Sequence, residues 1–385
     1  MKIGILTQPL NTNYGGLLQN YALQLIIKRF GYVPETIDHE GRYSWFYIFL
    51  SKVKGYFSYV LNPLECEKPT YSPSRKEILT IRSNTDRFIN KYIYHTSPLH
   101  SVAEFNNISN MNRYDAYIVG SDQCWRPKYN SFLEEMFLRF AGKQRNVKRI
   151  AYAVSFGTDK WEMDERKTEL CSYLAKKFDL VTVREDSGVE LCEKFLGIKA
   201  IHVLDPTMLL NKEDYINLVE SEDESISQGN LFYYILDPCK EKDDVINKVT
   251  TATNLIPFTV MPKFQRGNWN KNIVRNHIEL CVYPSVTLWL RSFMDAKMTI
   301  VDSFHGMVFS IIFNIPFWVI GNSKRGNSRF ISLLKFFNLE DRYIGNDNIN
   351  AIDYSSSIDW TNVNDILQRE KSRSTKLLFD ALSNN

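Results

Sequence analysis

The tract Val301-Asp302-Ser303-Phe304-His305-Gly306 sets an acid, a hydroxyl, a histidine and a glycine between two apolar runs. Read as a strand–helix junction, it offers helix-start N–H groups that no preceding carbonyl satisfies, and these suit an anion such as phosphate. Gly306 lets the backbone approach a ligand, Ser303 adds a neutral donor, and His305 can give or take a proton beside the anion. The competing use is structural, a serine N-cap followed by a histidine satisfied in the core. Asn13-Tyr14-Gly15-Gly16, with Gln19 and Asn20 one turn on, occupies the equivalent junction near the N-terminus. Its twin glycines permit a tight turn against a ligand. It lacks the GxGxxG spacing of a dinucleotide site and serves equally as a plain strand–helix turn.

Arg184 follows the apolar run 180–183 and opens a helix with Glu185, Asp186 and Ser187. Ligands of open α/β sheets bind beyond the C-terminal strand ends, and a guanidinium holds a carboxylate or phosphate at two points. The alternative is pairing with Glu185 or Asp186. Lys324-Arg325-Gly326-Asn327-Ser328-Arg329 brings three cations around a glycine, either an anion clamp through Arg325 and Arg329 or a solvated loop. Ser121-Asp122-Gln123-Cys124-Trp125 ends another apolar run with an acid, an amide and an aromatic, a mixture suited to sugar hydroxyls. Alternatively Asp122 caps the next segment. No GxSxG, HExxH, P-loop or EF-hand pattern occurs, so the common hydrolase and nucleoside-triphosphatase routes lose support.

These tracts need a scaffold that sets strand ends side by side. Residues 2–6 predict a strand, 17–30 a helix closed by Gly31, and 33–38 a second strand, a βαβ opening that points to a parallel sheet. Further strands are predicted over 114–120, 149–156, 180–183 and 201–204, with helices over 74–92 and 164–177. Asp205-Pro206-Thr207 begins a connector. A second series has strands at 231–236, 298–301 and 316–320 and helices at 285–296 and 307–314. The expected architecture is α/β: two Rossmann-like domains, 1–205 and 206–360, facing across a cleft. A last helix within 361–385 is expected to pack back on the first domain.

A chain of 385 residues with 44% hydrophobic and 24% charged residues has ordinary globular composition, and its length suggests two domains. A net charge of +3 without a concentrated basic face speaks against nucleic acid as a partner. Six scattered cysteines with no CxxC predict reduced thiols, with no zinc site and no disulfide framework. No signal peptide and no run of about 20 apolar residues is evident, so the expected location is the cytoplasm. The tract 42–63 differs in kind. Trp45, Phe46, Tyr47, Phe49, Tyr56, Phe57 and Tyr59 mix there with Lys52 and Lys54, and no acid intervenes. Such a mixture suits the headgroup region of an anionic bilayer, a peripheral contact at the inner membrane face. The alternative is that these rings fill a core.

The ordered set KIGILTQPLNTNYGGLLQNYALQ, YDAYIVGSDQCWRP, AYAVSFG, VREDSGVELC, VLDPTMLL and VDSFHGMVFSIIFNIPF, followed by RGNSRFISLL, resembles the polysaccharide pyruvyl transferase family from residue 2 to about 340. The resemblance implies a fold like the GT-B glycosyltransferases. It implies phosphoenolpyruvate as co-substrate, with no nucleotide and no redox cofactor, and an acceptor sugar of a cell-surface glycan, ketalised across a hexose 4,6-diol. A lipid-linked oligosaccharide is an acceptor in keeping with that. His305 then becomes the general acid, with Arg184, Ser303, Gly306, Arg325, Arg329, Asn13, Tyr14, Gly15, Gly16, Gln19, Ser121, Asp122 and Gln123 around the substrates. Some branches of the family carry arginine where Ser303 stands; here its role passes to Arg325 or Arg329. The competing functions are a nucleotide-sugar glycosyltransferase on the same scaffold and a non-catalytic protein that binds glycan or lipid phosphate.

Overall fold

The structure, a computed structural model, describes residues 1–385 apart from 41–70, 112, 143, 145, 266–267, 323–325, 346–352, 355 and 384–385. The aromatic tract 42–63 and Arg325 lie outside the described residues. The chain forms two parallel sheets. The first has six strands, β1 (Lys2–Leu6), β2 (Val33–Thr36), β3 (Ala116–Val119), β4 (Lys148–Val154), β5 (Leu180–Val183) and β6 (Ile201–His202), in the order β2-β1-β3-β4-β5-β6. The second has β7 (Leu231–Tyr234), β8 (Pro257–Phe258), β9 (Met298–Val301), β10 (Phe317–Ile320) and β11 (Tyr343–Ile344), in the order β11-β10-β9-β7-β8. All pairings between these strands are parallel. Central strands such as Ala116–Val119 and Met298–Val301 are buried throughout, as a sheet covered on both faces requires.

The helices start where the caps allow. Ser74, Asp164 and Ser285 each accept from the backbone N–H three residues on, so helices begin at Arg75, Glu165 and Val286. Two starts differ from expectation and both matter. The first helix runs Tyr14–Arg29, so Gly15 and Gly16 lie in its opening turn rather than in a loop, with Asn13 extended ahead of it. The helix after β9 is Phe304–Phe313, capped by Ser303, so His305 is itself helical. Gly31, at φ +84°, ends the first helix as a left-handed glycine should.

The two sheets share an apolar core. Tyr14 stacks on Trp289 at 5.6 Å and donates its hydroxyl to the carbonyl of Pro284, 3.0 Å away. The segment Pro206–Leu209 fills the space between them and is buried throughout. The closing helix, Trp360–Ser383, returns to the first sheet. Lys148 Nζ donates to the carbonyl of Leu382 at 2.7 Å, Ser374 Oγ accepts from Leu204 N at 3.2 Å, and the rings of Phe30 and Phe379 meet edge-on. No helix among the described residues is long and apolar enough to cross a membrane.

Gly306 shows what seats the second helix on its strand. A Cβ there would fall 2.9 Å from Val301 Cγ1 and 3.3 Å from Tyr234 Cδ1. Alanine in a helix ordinarily gains about 1 kcal/mol over glycine. Here overpacking, about 1–3 kcal/mol, outweighs that gain. Gly306→Ala should therefore lower the urea midpoint; an unchanged or raised midpoint would show that the helix–strand contact has slack.

Candidate active site

The C-terminal strand ends of the first sheet turn into a buried charge cluster. β3 leads to Ser121-Asp122, β4 to Ser155-Phe156-Gly157, β5 to Arg184-Glu185, and β6 to Asp205. Arg184, only 1% exposed, is the hub. Its Nη1 donates to Asp205 Oδ2 at 3.2 Å and to Ser121 Oγ at 3.3 Å, and its Nη2 donates to Asp122 Oδ1 at 3.2 Å. The guanidinium stacks on the Phe304 ring, 4.4 Å from its centroid. Glu185, fully buried, accepts at Oε1 from Ser155 Oγ and from the N–H groups of Phe156 and Gly157.

Asp122 sits at φ +79°, a left-handed conformation that costs an L-residue energy and that Asp tolerates better than most. Its carboxylate holds the turn by accepting from Gln123 N at 2.9 Å and Asn13 Nδ2 at 3.1 Å. Asp205 accepts from Ser121 Oγ at 2.6 Å and from both the N–H and hydroxyl of Thr207. Burial pushes both carboxyls up. For Asp205 the facing His305 and Arg184 more than reverse this, and for Asp122 Arg184, His305 and Arg329 do, so both lie below the ordinary carboxylate range.

The second domain supplies His305 and Arg329. His305 Nε2 lies 3.5 Å from Asp205 Oδ2 and makes no hydrogen bond among the described residues. The ring covers Gly15, where a Cβ would fall 2.1 Å from Nδ1. The opening turns of two helices, one from each domain, thus meet at this imidazole. Arg329, in the first turn of the helix Ser328–Phe336, is buried with its positive charge at the positive end of the helix dipole. Burial, with the Arg184 charge adding, lowers its guanidinium to about 10. Beside it the two domains touch through backbone: a Cβ on Gly326 would land 2.2 Å from the carbonyl oxygen of Gly157.

The sequence-derived candidates therefore separate. His305, Gly15, Asn13, Ser121, Asp122, Arg184 and Arg329 gather at the cluster. Gln123 lies at its edge, its Oε1 accepting from Arg126 Nη1 and filling the space above Gly157. Gly16 packs against Asn13. Tyr14 belongs to the interdomain core, and Gln19 is buried, donating to Thr7 Oγ1 and the Gly16 carbonyl. Gly306 faces Val301 and not the cleft, and Ser303 Oγ accepts the capping N–H of Gly306. For Arg184 the two expectations were a ligand grip and pairing with Glu185 or Asp186; its terminal nitrogens donate to Asp122, Asp205 and Ser121, because these strand ends converge on it, and its Nε lies 3.9 Å from Glu185 Oε2.

Sequence reading missed Asp205 as a site residue, although an acid directly after a strand of a parallel sheet was a usable signal. It also missed the support behind the second-domain loop. Asp302 Oδ2 accepts from Lys242 Nζ at 2.6 Å and Asn322 Nδ2 at 3.2 Å, and its Oδ1 accepts from Leu236 N. Among the described residues, no three His, Cys, Asp or Glu side chains gather as a metal site. An open groove of about 580 Å³ lies apart from the cluster, between the end of the first helix and the closing helix, lined by Arg29, Phe30, Lys371 and Phe379 among others.

A hub and a ligand grip respond differently to mutation. Arg184→Ala leaves three buried carboxylates, Asp122, Asp205 and Glu185, without this cation and should cost about 3–5 kcal/mol in urea unfolding; a loss confined to substrate affinity would mean the arginine faces a ligand instead. Because Asp122 and Asp205 are held low, their stabilisation is fully present above the unfolded value of about 3.9. It is lost as pH falls from there through the folded values, so this contribution to the urea midpoint should drop in that acid range.

A family profile for polysaccharide pyruvyl transferases matches residues 13–324. No curated protein matches the chain in sequence. Among solved structures, the chain is similar to a UDP-GlcNAc 2-epimerase from Neisseria meningitidis bound to UDP-GlcNAc, at TM-score 0.51 and 11% identity, covering 100% of both chains. It is also similar to a glycosyltransferase from Rickettsia africae ESF-5, at TM-score 0.54 and 10% identity, covering 100% of this chain and 99% of that one. At these identities the likeness shows the fold, two parallel-sheet α/β domains arranged as in GT-B enzymes. With the profile covering most of its length, the chain belongs to the polysaccharide pyruvyl transferase family.

Proposed function

We propose that this protein moves the pyruvyl group of phosphoenolpyruvate onto a sugar of a cell-surface polysaccharide precursor, forming a ketal across a hexose 4,6-diol and releasing phosphate. The observation that carries the reading is the buried imidazole of His305, set between Gly15 of one domain and Asp205 at the joint. The donor is an enol phosphate whose methylene carbon must be protonated before the adjacent carbon becomes electrophilic. His305 is the general acid for that step. One sugar hydroxyl adds to the electrophilic carbon, the bond to the phosphate oxygen breaks, and the second hydroxyl closes the ketal. One proton enters the new methyl group and two leave the hydroxyls. Of these two, one returns to His305 and the other departs with phosphate.

Arg329 and the chain segment carrying Arg325 supply the charge that the leaving phosphate needs. A cation at a helix N-terminus opposes the dipole, so an incoming anion relieves an existing repulsion. Gln123, at the edge of the cluster, serves the acceptor hydroxyls, with Ser121 and Asp122 buried behind it. The reading uses no nucleotide and no redox cofactor, and a lipid-linked oligosaccharide is the acceptor class it favours.

His305→Ala should lose at least about a hundredfold in turnover, the order of a general-acid contribution, with donor affinity falling less. Mass spectrometry of lipid-linked oligosaccharides incubated with phosphoenolpyruvate should show a gain of one pyruvate ketal. Near-normal turnover in the variant would remove His305 from the chemistry. A melting temperature raised by a nucleotide-diphosphate sugar and not by phosphoenolpyruvate would favour sugar transfer instead.

A further inference from the structure

The imidazole of His305 has two distinct faces. Nε2 points into the first domain, buried, with Asp205 Oδ2 at 3.5 Å and no hydrogen bond among the described residues. Nδ1 lies on the other side, over the opening turn of the first helix at Gly15. A bare nitrogen lone pair turned toward a buried carboxylate would set two electron-rich atoms against each other. A proton on Nε2 removes that conflict.

Asp205 is itself prevented from turning. Thr207 N and Oγ1 hold Oδ1 at 3.0 and 2.7 Å, while Ser121 Oγ and Arg184 Nη1 hold Oδ2 at 2.6 and 3.2 Å. Those donors come from the ends of β3 and β5 and from the turn after β6, so three elements fix one carboxylate. That array fixes the carboxylate that faces Nε2, and none of its donors comes from the first helix, against which Nδ1 lies.

We infer that Asp205 is the positioning residue of the reaction: it keeps a proton on His305 Nε2, so that Nδ1 is the atom that protonates the donor's methylene carbon. Loss of the Nδ1 proton to carbon leaves a neutral ring still protonated at Nε2. The proton returned by the second sugar hydroxyl then restores Nδ1–H. Gly15, against which the ring packs, holds the imidazole from the other side. Any side chain at that position would occupy the space of the imidazole. The inference rests on the pyruvyl-transfer reading given above for the substrate, and on geometry alone for the protonated nitrogen.

The test is a long-range 1H–15N spectrum of the full chain labelled at histidine, with the His305 signals assigned by their loss in His305→Ala. The expected neutral form of the wild type is protonated at Nε2, and Asp205→Asn should lose that preference. In the same variant kcat should fall at least about tenfold, the order found when the orienting partner of a reactive histidine is lost. The Michaelis constant for phosphoenolpyruvate should change much less. Proton at Nδ1 in the neutral wild-type ring would overturn the inference, and so would an Asp205→Asn enzyme with unchanged kcat. The spectrum needs neither a substrate nor the variant, so a poorly folding Asp205→Asn leaves the wild-type result decisive. Failure of wild type to use phosphoenolpyruvate would count against the donor, and is read separately from the protonated nitrogen.

Discussion

Arg184 is the interaction on which the site depends. A fully buried guanidinium is tolerable only when carboxylates surround it, and the ends of β3 and β6 deliver Asp122 and Asp205 to its two terminal nitrogens. Those contacts fix the left-handed turn at Asp122, hold Asp205 against His305, and seat Phe304 on the guanidinium face. The first turn of the second-domain helix is thereby tied to the first domain by charge. Tyr14 and Trp289 tie the same two domains by apolar stacking a short distance away.

Much of the fold was legible because parallel strands buried on both faces read as short apolar runs, and each ends in a change of residue type. 180–183 followed by Arg184, and 298–301 followed by Asp302-Ser303, are such boundaries. Helix starts were less legible. Phe304 and His305 were expected before the helix and lie inside it, since Ser303 takes the cap. Gly15 and Gly16 suggested a turn, but a glycine is helical where a neighbouring side chain needs the room, and here His305 needs it. The pairing of Arg184 with Asp122 and Asp205 spans 62 and 21 residues of chain, and local spacing carries no trace of such partners.

One residue type serves two ends in this fold. Gly306 and Gly15 lie in the opening turns of equivalent helices, yet one admits a strand side chain and the other an imidazole. Asp302 and Asp122 both follow strands. Asp302 is consumed by Lys242, Asn322 and backbone donors that shape its loop, whereas Asp122 faces the interdomain cluster. Residue type alone did not separate these cases; the neighbours brought in by the sheet did.

The central claim is that transfer adds one exchangeable proton to the methylene carbon of the donor, as a general acid at His305 requires. The direct measurement is transfer carried out in heavy water, with mass analysis of the pyruvyl group on the acceptor. One deuterium in the new methyl group is the predicted result, because one proton is delivered to carbon for each group moved. A methyl group without deuterium would contradict it, as would a product that gains a sugar from a nucleotide donor and no pyruvyl group.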